Sequence, residues 1–387
     1  MAKKDEKKNL RAERFWKTWR VPVKGLMKLK FGYSCISEDL PDGAFLVYAN
    51  HVTDLDPVFV GCSFPRPLTF VAGEAIHRMG LLSRIVRRYA NTIDRFKGST
   101  DSACALQILR TLRGGTPVCM FPSGERSYTG KSTDIFPVSA KLAKSARVPL
   151  ITYRISGGYL TSPRWADTMR RGKMHGEIIR IYTPQELSVL SADELLTSIT
   201  RDLYEDAYAA EPVRYKGKRL AERLETMLYL CPKCGRADTL KSADNRFSCS
   251  CGLSLTMNEY GRFEGDSVPF QHPGEWDDWQ QGIMKSIAAS AAEKPVFTDI
   301  GQQLYKLGQE HELIPVTAGS LSMSGTMISL GSFSLPLQKL DGFAMTQQDK
   351  LSFSAAGENY VIRSDHPRCG KKYVDLYRYL KSGPVHS

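Results

Sequence analysis

The sequence predicts an α/β protein whose main sheet is mostly parallel and covered by helices on both faces. Between Gly43 and about residue 210, short apolar runs with strand character alternate with longer segments of helical spacing. Those short runs are continuously apolar rather than alternating, the pattern of strands buried on both faces. With 387 residues, 42% of them hydrophobic, the chain has ample material for a core and room for two or three globular units.

The elements follow in order. Ala44 to Ala49 reads as a buried strand, and Pro57 to about Cys62 as a helix start, because Pro suits the first helical turn. Leu68 to Val71 is a second strand, and Gly80 to Tyr89 a helix. Thr92-Ile93 is a short strand. Ala103 to Arg113 is helical, with Leu106, Leu109 and Leu112 on one face, and Gly114-Gly115 stops it. Val118 to Phe121 is a strand, Ala140 to Ala146 a helix, Pro149 to Tyr153 a strand and Ala192 to Ala210 a closing helix, after which Glu222 to Tyr229 leads out of the unit. Beyond Cys251 the texture changes. Residues 296–364 are turn-rich, with alternation at Leu351-Ser352-Phe353 and Tyr360-Val361-Ile362, as in a small antiparallel β module. Lys371 to Leu380 is a final helix with Tyr373, Leu376, Tyr377 and Leu380 on one face.

Charge is unevenly placed. The first thirty residues hold eleven Lys and Arg against three acids, a net +8 of the chain's +12. Phe15, Trp16, Trp19, Val21, Val23, Leu26, Met27 and Leu29 are interleaved with them, a mixture suited to an anionic headgroup layer. A solvated terminus has the same composition, and nucleic acid ranks below both. No run of about 18 uncharged apolar residues occurs, and the charged start has no apolar signal-peptide region. The expectation is a cytoplasmic protein held peripherally at a membrane surface.

Three constellations follow strands. Asn50-His51-Val52-Thr53-Asp54-Leu55-Asp56-Pro57 places an imidazole at a strand end, where α/β sheets open onto their ligand crevice. His51 and Asp56 fall on different faces of a continuous helix, so they meet only if the chain turns between them. Pro57 favours such a turn, and a carboxylate so placed would fix the tautomer of His51. The alternative is a plain helix cap at Asp56. Phe121-Pro122-Ser123-Gly124-Glu125-Arg126-Ser127 is a tight turn with a guanidinium fork, and Ile93-Asp94-Arg95-Phe96-Lys97 adds two cations at a third strand end.

In this order and spacing the blocks resemble the glycerophospholipid acyltransferases, the lysophosphatidate group. His51 to Asp56 is similar to that family's H-x4-D box, Ile93-Asp94-Arg95 to its second motif, Phe121 to Ser127 to its F-P-E-G-T-R-S box, and Val148-Pro149-Leu150-Ile151 to its fourth block. The resemblance covers about residues 30–210. It implies that His51 deprotonates a glycerol hydroxyl, that Asp56 supports the imidazole, and that Arg126 with Arg95 and Lys97 holds the acceptor phosphate. Ser123, Gly124 and Glu125 complete the substrate loop, whose turn amides would receive the thioester oxyanion. The implied partners are acyl-CoA or acyl carrier protein, a lysophospholipid acceptor and an anionic membrane, with no cofactor for catalysis. Ser123 stands where the family has Glu, and Glu125 where it has Thr. This opens acylation of another lysolipid or a glycolipid as an alternative acceptor choice.

Of nine cysteines, Cys35, Cys62, Cys104, Cys119 and Cys369 are scattered, as small buried hydrophobes are. Cys231-Pro-Lys-Cys234-Gly235 and Cys249-Ser-Cys251-Gly252 instead form two pairs, the spacing of a structural Zn²⁺ site. The segment resembles a zinc ribbon, with C-x-C replacing C-x-x-C in the second turn. Ribbons also bind nucleic acid or proteins, so a catalytically silent binding protein is the rival of another class. The expected organisation is a membrane-surface segment at 1–30, an acyltransferase domain at 31–228, a ribbon at 229–256, a helical linker at 257–295, and at 296–387 a β module that loosely resembles a pleckstrin-homology fold.

Overall fold

The computed structural model describes residues 2–36, 39–73, 92–95, 102–265, 269–308, 312–346, 348–366 and 368–382. The helix expected over Gly80–Tyr89 and the cation Lys97 lie outside these residues. The chain divides into two compact units, the first running to Gly217 and the second comprising residues 165–167 and 218 onward among the described residues.

The first unit opens with α1 (Ala2–Phe31), followed by β1 (Tyr33–Cys35), β2 (Leu46–Ala49), α2 (Asp56–Ser63), β3 (Thr69–Gly73) and β4 (Thr92–Arg95). Next come α3 (Ser102–Arg113), β5 (Val118–Met120), α4 (Val138–Ala146), β6 (Leu150–Ser156), α5 (Gly158–Thr161), β7 (Met174–Tyr182), α6 (Pro184–Val189) and α7 (Ala192–Leu203). The seven strands form one sheet in the order β1-β7-β6-β2-β5-β3-β4. All pairings are parallel except β6 with β7.

Neither β1 nor β7 is legible as a strand in the sequence. Both lie toward one edge, where β7 buries only part of its length. The helix expected to reach Ala210 ends at Leu203 because the next residues pair elsewhere. Ser132 N–H donates to Glu205 O at 2.8 Å, and Asp206 bridges to Lys131. Propensity yields there to tertiary hydrogen bonding.

Strand β2 shows why its apolar run is continuous. Phe45, Val47 and Ala49 enter one core cluster with Phe59 and Val60 of α2, while Leu46 and Tyr48 enter the opposite one with Ile108, Ala140 and Ile199. Successive side chains face opposite sides of the sheet, and helices cover both. Helix α1 rests on α2 through Trp16, whose Nε1–H donates to Phe64 O at 3.3 Å, and Arg20, which donates to Cys62 O at 3.2 Å. Thus one tryptophan of the N-terminal segment packs inward, while Trp19, Val21, Leu26 and Leu29 remain exposed. Among the described residues no helix is long and apolar enough to cross a membrane.

The second unit holds a short antiparallel sheet of β8 (Leu240–Ala243), β9 (Arg246–Cys249), β10 (Ser254–Met257) and β11 (Phe263–Glu264), then α8 (Pro273–Ser290). Residues 222–229 contribute only a 3-10 turn at Leu224–Thr226. Seven antiparallel strands follow: β12 (Phe297–Leu307), β13 (Leu313–Met323), β14 (Met327–Leu330), β15 (Phe333–Pro336), β16 (Asp341–Thr346), β17 (Lys350–Ala355) and β18 (Glu358–Ser364). Their order is β15-β14-β13-β12-β18-β17-β16, and α9 (Lys371–Ser382) ends the described chain.

Candidate active site

The carboxyl ends of β2, β4, β5 and β6 point to one edge of the sheet because these strands run parallel. Asn50 pins the end of β2 to β6: its amide donates to Ile155 O at 2.9 Å and accepts from Ile155 N–H at 2.7 Å. The next residue, His51, therefore leaves from a fixed point in the middle of the sheet.

The chain then turns back, as the contact between His51 and Asp56 requires. His51 Nδ1 lies 2.7 Å from Asp56 Oδ2. The Asp56 carboxylate is fully buried and also accepts from Val52 N–H at 2.6 Å, Thr53 N–H at 3.0 Å and Thr53 Oγ1–H at 2.7 Å. Leu55 occupies the cap position of α2, with Asp56 and Pro57 opening the helix. Main-chain anchoring and support of the imidazole are thus combined in one carboxylate. With Nδ1–H donated to Asp56, the lone pair of neutral His51 resides on Nε2. The ring stacks on Phe121 at 4.5 Å between centroids and remains about one-fifth exposed.

The loop after β5 is tied to this turn. Ser127 N–H donates to His51 O at 3.1 Å, and Gly124 takes φ +67° while its N–H closes a turn onto Phe121 O. Those two turn amides are therefore committed to holding the loop. The buried Ser123 hydroxyl donates to Glu125 O at 3.1 Å, while the Glu125 carboxylate lies 3.4 Å from Arg164. Ser123 and Glu125 thus brace the loop.

Arg126, expected to hold the acceptor phosphate, has its fork on groups of the chain itself. It is buried, donates to Val52 O and Ser162 O, and places Nη1 2.7 Å from the exposed carboxylate of Asp54. A buried guanidinium must have its donors satisfied, and burial lowers its pKa while Asp54 opposes that shift. Arg95 ends β4 on the same sheet edge.

Asn50, Thr53, Asp54 and Glu205 carry no role in the sequence reading. For Thr53 a local signal exists, since a hydroxyl two residues into such a turn commonly bonds nearby backbone; here it accepts from Leu55 N–H at 3.1 Å. Glu205 offers none. Its carboxyl accepts from Gly157 N–H at 2.7 Å just beyond β6, and its second oxygen is buried with no hydrogen-bond partner among the described residues. Burial raises its pKa to about 8, helped by the Asp56 carboxylate and opposed by Gly157 N–H and Arg154.

Residues 34–156 match the Acyltransferase family. A probable 1-acyl-sn-glycerol-3-phosphate acyltransferase of Mycoplasma pneumoniae is 30% identical over 134 residues, covering 33% of this chain and 50% of that protein. One of the same description from Mycoplasma genitalium is 29% identical over 189 residues, 44% of this chain and 68% of its own. The chain thus spans half the length of the first relative and about two thirds of the second. A crystal structure of the 1-acyl-sn-glycerophosphate (LPA) acyltransferase of Thermotoga maritima aligns at 22% identity and a TM-score of 0.41, over 49% of this chain and 76% of that one. The segment matched by the family contains the His51–Asp56 turn and the braced loop after β5, and over residues 34–156 this chain is similar to the acyltransferases.

Proposed function

We propose that the protein is an O-acyltransferase that moves a fatty acyl group from the thioester of acyl-CoA or acyl carrier protein to the free hydroxyl of a lysophosphatidate. The observation that carries this reading is the 2.7 Å contact between His51 Nδ1 and Asp56 Oδ2. It leaves Nε2 as the basic nitrogen. Nε2 takes the hydroxyl proton as that oxygen attacks the thioester carbonyl, and Asp56 stabilises the imidazolium as it forms. Collapse of the tetrahedral intermediate breaks the C–S bond, and the imidazolium returns its proton to the departing thiolate. No covalent acyl-enzyme is needed.

Arg126 and Arg95 supply the positive field for the acceptor phosphate, with the phosphate taking the place of Asp54 on Arg126 Nη1. The exposed Trp19, Val21, Leu26 and Leu29 of α1, beside exposed Lys17, Lys28 and Lys30, are the surface that meets anionic lipid. Strand order β15-β14-β13-β12-β18-β17-β16 with a following helix supports a pleckstrin-homology-like reading of the C-terminal module. Ser123 in the loop after β5 favours a second acceptor choice, another lysolipid or a glycolipid.

The test is thiol release from acyl-CoA and from acylated carrier protein against a panel of lysophospholipids. Lysophosphatidate should give the fastest release. The His51→Ala variant should fold as the parent does and lose activity by about a thousandfold or more. Activity surviving that substitution removes His51 as the base.

A further inference from the structure

We infer that Cys231, Cys234, Cys249 and Cys251 bind one zinc ion in a closed tetrathiolate site, and that this ion locks the β8–β11 segment onto α8 and α9 within the second unit. Acyl transfer uses none of these residues.

The four sulfurs lie within 4.8 Å of one another. Cys231 and Cys251 are 3.7 Å apart, and Cys234 and Cys249 are 3.9 Å apart. A tetrahedron of sulfurs about 2.3 Å from a central zinc has edges of about 3.8 Å, between the two observed separations. All four cysteines are unpaired thiols, far beyond the roughly 2.05 Å of a disulfide bond. Two turns present them. Gly235 and Gly252, each directly after a pair, take φ of +68° and +89°, so the glycines close the turns that point both sulfurs inward. The shorter C-x-C spacing of the second turn still brings its sulfurs into the cluster.

The surroundings complete the site. Thr239 Oγ1 lies 3.1 Å from Cys249 Sγ, and the Arg236 side chain bonds Cys234. Four thiolates and one Zn²⁺ carry a net charge of −2, and Arg236 and Lys233, whose Nζ lies beside Gly252, are the two cations at its rim. With four sulfurs engaged no coordination position is open, so the ion serves structure rather than catalysis.

The metal would act on more than the two turns. Trp276 of α8 donates through Nε1 to Leu230 O at 2.9 Å, and Gln280 accepts from Tyr229 N–H at 3.1 Å, directly before Cys231. Tyr229 donates to Asp375 of α9, and the fully buried Lys372 pairs with Asp238, between Cys234 and β8, and with Asp299 of β12. Cys231 and Cys249 belong to the same apolar cluster as Trp276 and Phe247. Clamping the cysteines therefore fixes the segment against which α8, α9 and β12 pack.

The test uses the full chain purified without chelator. Metal analysis should give one zinc per chain, and replacement by Co²⁺ should give the visible absorption of tetrahedral cobalt bound to thiolates. Removing the metal should lower the melting temperature of the transition that exposes Trp276 by about 10 °C or more, with recovery on adding zinc. Cys234→Ser should cut zinc retention at least tenfold, whereas Cys35→Ser should retain one ion. Zinc below a tenth of an equivalent, iron in its place, or a full equivalent retained by Cys234→Ser overturns the site. Full zinc with an unchanged melting temperature on chelation overturns the locking role.

Discussion

Replacing Glu205 by Gln removes a buried ionisable group but keeps the oxygen that accepts from Gly157 N–H. In the folded chain Glu205 titrates at about 8, against 4.5 for an ordinary Glu. Between these values the unfolded carboxyl has lost its proton while the folded one retains it. The folded state thus binds the extra proton, and stability falls as pH rises through that window and levels off above pH 8. At about 1.36 kcal/mol per pH unit, the separation amounts to about 5 kcal/mol as an upper bound. Glu205→Gln has no such slope. Its advantage over the parent should be small near pH 5, grow through neutral pH and become constant above pH 8. Amide hydrogen exchange of β2 and β6, compared between variant and parent at each pH, reads this difference directly, because the intrinsic pH dependence of exchange cancels. A difference that stays flat within about 0.5 kcal/mol from pH 5 to 8.5, or shrinks as pH rises, would refute the assignment of a protonated Glu205.

Two further substitutions test the turn around Asp56. Asp56→Asn turns one acceptor oxygen into a donor facing Val52 N–H, Thr53 N–H or His51, so stability should fall by about 2–4 kcal/mol in urea titration and thiol release by at least about a hundredfold. Gly158→Ala would place its new methyl 2.4 Å from Val52 Cγ2. The turn must shift to admit it, at a cost of about 1–3 kcal/mol, and thiol release should drop even where a thermal melt shows the chain still folded.

Much of the first unit is legible in sequence because its central strands bury both faces. Phe45 to Ala49 has to be apolar throughout once α2 covers one side and α3, α4 and α7 the other. Strand β7 escapes notice because it is antiparallel to β6 and partly exposed, so polar and apolar positions mix without a clean period. The His51–Asp56 pairing is suggested by Pro57 and the strand end, but the buried donors that fix Asp56 come from Thr53 and the adjacent amides. Arg126 has partners that the sequence does not announce. A guanidinium in a Gly-containing turn looks like a free fork, and only the packed structure reveals Asp54 and two carbonyls already on it. Glu205 is invisible for a related reason: nothing in Tyr204-Glu205-Asp206 announces a carboxyl held inside where the Glu205 main chain pairs with Ser132 and Asp206 bridges to Lys131.

The Asn50 clamp sets what natural variation in this scaffold can reach. Because β2 has β6 on one side and β5 on the other, the imidazole inherits its position from the rigid centre of the sheet. The loop after β5 issues from a neighbouring strand. Ser123 and Glu125 brace a loop whose Ser127 N–H holds His51 O, so an exchange at either position is also felt at the imidazole.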